Sequence, residues 1–175
     1  MPPSPLRRAA LALALAATFS PALAQSTTAA ATPGWPSKPV KLVVGFPGGS
    51  SPDLVARTLA EPLAKALGQP VIVENKVGAG GNIAAAAVAK ATDDHTIGLM
   101  INGNMTIARL INPRINYDPL KDLAPISLIA TAPLALAAPA NAPGATAQEF
   151  FAAARASGDR WNCGTPGVGT VAHIG

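Results

Sequence analysis

The chain has 175 residues, with 13 basic side chains against 9 acidic ones, two histidines and a single cysteine. One cysteine rules out an intramolecular disulfide, and His95 and His173 lack ligand spacing to it, which excludes a cysteine–histidine metal centre. The bases are scattered and are not interleaved with aromatics, so the footprint of a nucleic-acid binder is missing.

Residues 1–24 read as an export signal. Arg7 and Arg8 form the positive start, Ala9 to Phe19 an apolar stretch, and Ala22-Leu23-Ala24 a small-x-small cleavage pattern. The apolar stretch falls well short of the roughly 20 residues that a membrane span needs. Cleavage after Ala24 would leave the exported chain with 11 basic and 9 acidic residues, a net charge of +2. Residues 25–36 are mostly Ser, Thr, Ala, Pro and Gly and read as a flexible lead.

The run Val40–Val44 then predicts a largely buried strand. It feeds the glycine-rich loop Gly45 to Asp53, which opens a helix with Ser51 as N-cap, Pro52 at the first helical position and Asp53 at the positive end of the helix dipole. Leu54, Val55, Leu59, Leu63 and Leu67 keep helical spacing up to Gly68, and Pro62 predicts a kink or a break. Val71 to Glu74 is a second strand. Gly78 to Gly81 is a second glycine-rich turn, and Asn82 caps an alanine-rich helix to about Lys90. Thr96 to Ile101 is a third strand. This βαβαβ order with near-continuous apolar strands implies an α/β fold around a parallel sheet, with ligands at the carboxyl ends of the strands. That rim collects residues 46–53, 78–82 and 102–106.

The second half is less regular. Ala124 to Ala130 and Leu134 to Ala138 predict short strands, and Thr146 with Glu149 forms a capping box for a helix to about Ala156. Trp161 to Cys163 returns to extended chain ahead of another glycine-rich loop, Gly164 to Thr170, which opens a further helix. Cys163, placed there, is either a small buried residue at a strand end or a reactive thiol.

Neither glycine loop carries the lysine of a phosphate-binding P-loop, and neither matches the dinucleotide fingerprint. A hydrolase using Ser51 or Cys163 is the rival enzymatic reading. It lacks the G-x-S-x-G elbow, and His173 has no carboxylate near it in sequence. Two loops that combine bare backbone, hydroxyls and a helix start fit the binding of an anion or carboxylate without catalysis.

The residues also carry a family likeness. Trp35 to Arg57 (WPSKPVKLVVGFPGGSSPDLVAR), Gly68 to Ala84 (GQPVIVENKVGAGGNIA), Ile111 to Pro113, Tyr117 to Ile126 and Gly164 to His173 (GTPGVGTVAH) resemble, in order, the signatures of Bug-type periplasmic solute receptors. These are the extracytoplasmic binding proteins of tripartite tricarboxylate transporters. The resemblance implies a periplasmic-binding-protein (Venus-flytrap) α/β fold with parallel sheets. The first lobe would span 37–130. The start of a second, incomplete lobe would span 131–175, since family members continue for about as long again. It implies a non-enzymatic receptor, without cofactor, for a small carboxylate solute that it passes to membrane transporter subunits, monomeric when full-length. By that resemblance Phe46, Pro47, Gly49, Ser51 and Asp53 line the first loop. Gly167, Gly169, Thr170 and His173 line the second, and Asn102 and Asn104 lie on a third rim segment. Asp53 serves either the solute or its own helix, and His173 points into the cleft or is structural. On this basis the 175-residue product is expected to be a truncated gene product, a fragment or a split open reading frame, and not to bind solute with normal affinity. A fragment that resembles its parent without function is the blander alternative.

Overall fold

The structure is a computed structural model that describes residues 34–174. The expected export signal over 1–24, and most of the lead over 25–36, lie outside the described residues.

Three strands, β1 (Val40–Val44), β2 (Val71–Asn75) and β3 (Thr96–Leu99), form a parallel sheet in the order β2-β1-β3. Val40 to Val44 pair with Val71 to Asn75 on one side, and Lys41 to Val44 with Thr96 to Leu99 on the other. The central place falls to the strand with the most continuous apolar run: in β1 only Lys41 is exposed, while β2 and β3 are partly buried edges. The chain goes from β1 to β2 through helix α1 (Ser51–Leu67), and from β2 across β1 to β3 through α2 (Asn82–Ala89). Right-handed crossovers in opposite directions put the two helices on opposite faces.

The core divides in the same way. Leu42 and Val44 pack with Ala56 of α1, joined by Val71, Val73, Ile97 and Leu99. Ala85 and Ala86 of α2 pack with Tyr117, flanked by Ile115 and Leu123. The register explains the partition. Leu42 lies beside Ile97 and Val44 beside Leu99 on the α1 face, whereas Val43 lies beside Gly98. A Cβ at Gly98 would come within 2.9 Å of the Val88 side chain of α2, so glycine lets that helix sit close to the sheet.

The expected elements hold in this half, with local corrections. Pro62 does not break α1, which runs continuously to Leu67 and ends at Gly68 in the left-handed conformation (φ 70°), whose N–H donates to Ala64 O at 2.9 Å. Pro62 and Thr58, whose carbonyl loses its helical donor, both lie on the exposed side, where water can take the donor's place. Below the sheet, buried His95 ties the chain entering β1 to the start of β3. Its Nε2 accepts from Ser37 N (3.0 Å), and its Nδ1 lies 2.8 Å from Asp93 O.

After β3 come two short helices, α3 (Asn102–Thr106) and α4 (Ala108–Ile111). The strands expected over 124–130 and 134–138 are absent. Every residue of both stretches is exposed, and no described strand lies beside them to complete a ladder. Helix α5 (Ala147–Ala156) follows, capped as expected by Thr146 Oγ1 accepting from Glu149 N (3.2 Å); Glu149 reaches back one residue further, to Ala145 N (2.7 Å). Trp161 to Cys163 forms no strand, and Cys163 is exposed rather than buried, because no sheet covers it. The last element is α6 (Val171–Ile174). Among the described residues no helix is long and apolar enough to cross a membrane.

Candidate functional site

All three strands point their carboxyl ends the same way, so the loops after Val44, Asn75 and Leu99 share one rim. The chain leaves β1 toward β2 on one side and β3 lies on the other, which makes this rim the switch point where open α/β sheets bind ligands.

The first loop is held from beneath by a buried carboxylate. Asp53 is 1% exposed, and both of its oxygens are occupied. Oδ2 accepts from Gly49 N (2.8 Å) and Arg57 Nε (2.9 Å), and Oδ1 accepts from Asn75 Nδ2 (2.9 Å). The Asn75 amide also donates to Phe46 O (2.9 Å), so one strand-end side chain fixes both the loop and its anchor. The Arg57 guanidinium first, then the Gly49 N–H and the Asn75 amide, hold the Asp53 carboxyl well below the usual carboxylate range. Asp53 thus organises the loop through internal partners.

Ser50, not Ser51, is the N-cap, with φ −70° and ψ 158°; the helix starts one residue earlier than expected, and Pro52 falls in its first turn. The Ser50 hydroxyl makes no capping bond, and its buried oxygen has no partner among the described residues. Ser51 is exposed at the helix start. The N–H groups of Ser51 and Asp53 precede the first carbonyl that could pair with them inside the helix. Gly49 (φ 83°) makes the turn that a side chain would strain. Phe46 is partly buried and Pro47 exposed, and the Pro47 carbonyl accepts from Ser50 N (3.1 Å).

A second buried network holds the other rim loops. Asn104 is 2% exposed and donates to Gly80 O (2.9 Å) and Asn82 Oδ1 (2.8 Å), while its own oxygen accepts from Ile101 N (3.3 Å). The Tyr117 hydroxyl lies 2.8 Å from Asn82 Oδ1 and 2.9 Å from Asn104 O, and burial raises its pKa. Asn82 therefore does not cap α2. Gly81, at φ 90°, takes the cap position, and the Asn82 side chain turns to Asn104 and Tyr117. Asn102 is exposed, its Oδ1 accepting from Gly103 N (3.0 Å).

Glycine backbones bring the loops into contact. A Cβ on Gly45 would meet Gly81 Cα at 2.5 Å, and one on Gly81 would meet Asn104 Oδ1 at 2.9 Å and the Phe46 ring at 3.3 Å. The Gly167 to Thr170 loop joins the same assembly: Gly80 would meet Val168 O at 2.8 Å, and Gly103 would meet Gly169 O at 2.5 Å. Thr170 is buried, and its N (3.2 Å) and Oγ1 (2.8 Å) both donate to Gly167 O. Gly167 (φ 150°) and Gly169 (φ 84°) supply the left-handed turns. His173 is exposed, and its N–H donates to Thr170 O at 3.0 Å.

Of the residues singled out in the sequence, Phe46, Asn104, Gly167, Gly169 and Thr170 meet at or beside this glycine junction. Pro47, Gly49 and Ser51 line the adjoining loop, Asp53 lies beneath it, and the side chains of Asn102 and His173 project from its edge. Sequence reasoning gave no site role to Arg57, Asn75 or Tyr117, and it took Asn82 for a helix cap. Arg57 had a visible signal, four residues beyond Asp53 on one helix face; the others are brought in only by tertiary packing. Among the described residues, the cation hydrogen-bonded into the first loop's scaffold is Arg57, and it is already paired with Asp53. An anion placed here would rely on backbone N–H groups and hydroxyls.

A family model described as the tripartite tricarboxylate transporter family receptor matches residues 55–175. A UPF0065 protein from the gbd 5' region of Cupriavidus necator is 39% identical over 161 residues, covering 91% of this chain and 48% of that protein. Protein BugT of Bordetella pertussis is 41% identical over 104 residues, covering 58% of this chain and 32% of that protein. Among solved structures, MatC from Rhodopseudomonas palustris with bound malate superimposes with a TM-score of 0.52 at 41% identity, over 54% of this chain and 33% of that one. The chain spans about half the length of the first of these relatives.

Proposed function

Since the chain belongs to the family of tripartite tricarboxylate transporter receptors, we propose that it supplies the rim that grips one carboxylate group of a small solute in an extracytoplasmic receptor. The family is one of receptors rather than enzymes, which sets aside the hydrolase reading built on Ser51 or Cys163. The observation that supports the proposal is the convergence of the Phe46–Asp53 and Gly167–Thr170 loops at the carboxyl ends of a parallel sheet, where the first loop opens a helix and, among the described residues, Arg57 of its scaffold is paired with Asp53.

In this reading the N–H groups of Ser51 and Asp53 and the hydroxyl of Ser51 take one carboxylate, and the Gly167–Thr170 backbone borders it. The Asp53 side chain does not touch the solute; it holds Gly49 and Phe46 in place through its own hydrogen bonds and those of Asn75. The helix start contributes about 0.3–1 kcal/mol to an exposed anion and about 2 kcal/mol when partly buried. That is less than the roughly 4 kcal/mol of a millimolar complex, so the chain alone holds solute weakly. MatC, with its bound malate, supports a dicarboxylate as the first solute to try. The first lobe over 37–130, the start of a second over 131–175, periplasmic delivery after cleavage at Ala24 and hand-over to membrane transporter subunits complete the proposal.

Amide NMR of the chain from Gln25 onward, titrated with malate and adipate against a chloride control, tests it. Shifts concentrated at Ser51, Asp53 and Gly167 to Thr170, without saturation in the micromolar range, are expected. Shifts confined to other residues would refute the assigned rim, and tight saturable binding by the chain alone would refute the half-site account.

A further inference from the structure

Asn102 is the only asparagine of the chain that is followed by glycine. It is exposed at the start of α3, and its side chain folds back on its own neighbour: Oδ1 accepts from Gly103 N at 3.0 Å. The amide carbon Cγ, one bond from that oxygen, is thereby held close to the same nitrogen. Gly103 N lies in the first turn, where no carbonyl of the helix itself takes the N–H, so no helical hydrogen bond has to break before it reacts. Glycine also brings no Cβ to shield the approach. The other asparagines after Gly34 lack one of these conditions. Asn75, Asn82 and Asn104 are tied into the buried networks of the rim. Asn112 precedes a proline, which has no N–H, and Asn116, Asn141 and Asn162 precede residues with side chains.

We propose that Asn102–Gly103 is a modification site at which the chain deamidates itself, with water as the co-reactant. Gly103 N gives up its proton and bonds to Asn102 Cγ. The Cγ–Nδ2 bond breaks, and that nitrogen leaves with the proton as ammonia. Water then adds to one of the two carbonyls of the cyclic imide. Opening at Cγ gives aspartate in the original chain. Opening at the backbone carbonyl gives isoaspartate, whose chain runs on through Cβ and Cγ. Nothing is oxidised or reduced; an amide NH2 has been exchanged for an acid OH, which ionises.

The position makes the two products unequal. Gly103 is buried, and so tightly wedged that a Cβ on it would lie 2.5 Å from Gly169 O and 3.2 Å from Thr170 Cα. Isoaspartate lengthens the backbone immediately before this contact, so Gly103 is pushed out of place and the Gly167–Thr170 loop lifts from the rim. Aspartate leaves the backbone as it was and adds only a charge. On a rim that grips a carboxylate, that charge opposes the solute. This last consequence rests on the proposed function, whereas the covalent change rests on Asn102 and Gly103 alone.

The test ages the purified chain in mildly alkaline buffer and reads each asparagine by peptide mass spectrometry, with isoaspartate O-methyltransferase marking the isoaspartate. Conversion is expected to be faster at Asn102 than at exposed Asn141 and Asn162, and to slow in mildly acidic buffer, where less of the amide nitrogen is deprotonated. In the isoaspartate fraction the Thr170 amide should exchange about tenfold faster or more, while the β1 amides stay protected and show that the sheet persists. Freshly prepared Asn102→Asp, with its unaltered backbone, should keep the Thr170 amide as slow as in the parent. Conversion at Asn102 no faster than at Asn141 and Asn162 overturns the proposal. So does an isoaspartate fraction whose Thr170 amide exchanges as in the parent, or equal release of the loop in fresh Asn102→Asp.

Discussion

Replacing Gly103 with alanine separates two effects of opposite sign. Gly103 lies inside α3, where alanine is favoured over glycine by about 0.8–1.0 kcal/mol. The new Cβ would lie 2.5 Å from Gly169 O and 3.2 Å from Thr170 Cα, so the Gly167–Thr170 loop or the helix must move. Inserting a methyl group into close packing costs about 1–3 kcal/mol. The intact chain should therefore lose up to about 2 kcal/mol in urea denaturation despite the better helix former. Exchange at the Thr170 amide, held by Gly167 O at 3.2 Å, should accelerate as the loop lifts. In a chain ending at Arg160 the obstructing backbone is gone. Both hydrophobic clusters remain, since their members all lie between Leu42 and Leu123. There Gly103→Ala should stabilise by up to about 1 kcal/mol. Stabilisation of the intact chain by that amount, with the Thr170 amide unchanged, would refute the docking of the second loop on the sheet rim.

Three further outcomes follow from the same geometry. Asn104→Ala leaves Gly80 O and Ile101 N without their partner and should cost about 2–4 kcal/mol in denaturant titration, with faster exchange at Gly81. The pKa of Asp53 is lowered on folding, so its stabilising contribution is complete above the unfolded value near 3.9 and is lost as pH falls from there through the folded value. Urea midpoints measured down the acid limb should drop less steeply for Asp53→Asn than for the parent, and parallel slopes would contradict this. Pro62→Ala restores a donor to Thr58 O on the exposed face of α1 and should raise stability by about 1–3 kcal/mol, read as a shift in the thermal midpoint.

The sheet half was largely legible because its signals are local. Val40–Val44 and Val71 to Glu74 are β-branched runs, and Gly68 stops a helix wherever it is placed. The end of α5 at Ala156 could likewise be read from its cap and spacing. What escaped depended on partners distant in sequence. Asn82 has the residue type and position of an N-cap, yet Asn104 and Tyr117 compete for its side chain and win. Asp53 has two local readings, as a ligand contact or a helix-start charge, and its link to Asn75 belongs to neither because it comes from the pairing of β1 with β2. The strands foreseen over 124–130 and 134–138 show the opposite failure: the pattern is there, but no described neighbour offers a ladder. The glycines of the rim were read one loop at a time, and their close approach to one another was hidden.

The central position of β1 also sets an order of events in time. Lys41 to Val44 pair on one side with residues up to Asn75 and on the other with residues up to Leu99. Whichever end of a ribosome or translocation pore releases the chain N-terminus first, the most apolar strand emerges long before its second partner. Until residue 99 is free, β1 can be covered on one edge at most. Parallel pairings of such separation form slowly, because the loops must close before the contacts reward them. The interval between the emergence of Val44 and that of Leu99 is thus the period in which this chain is most open to capture by a chaperone, a protease or another unfolded copy.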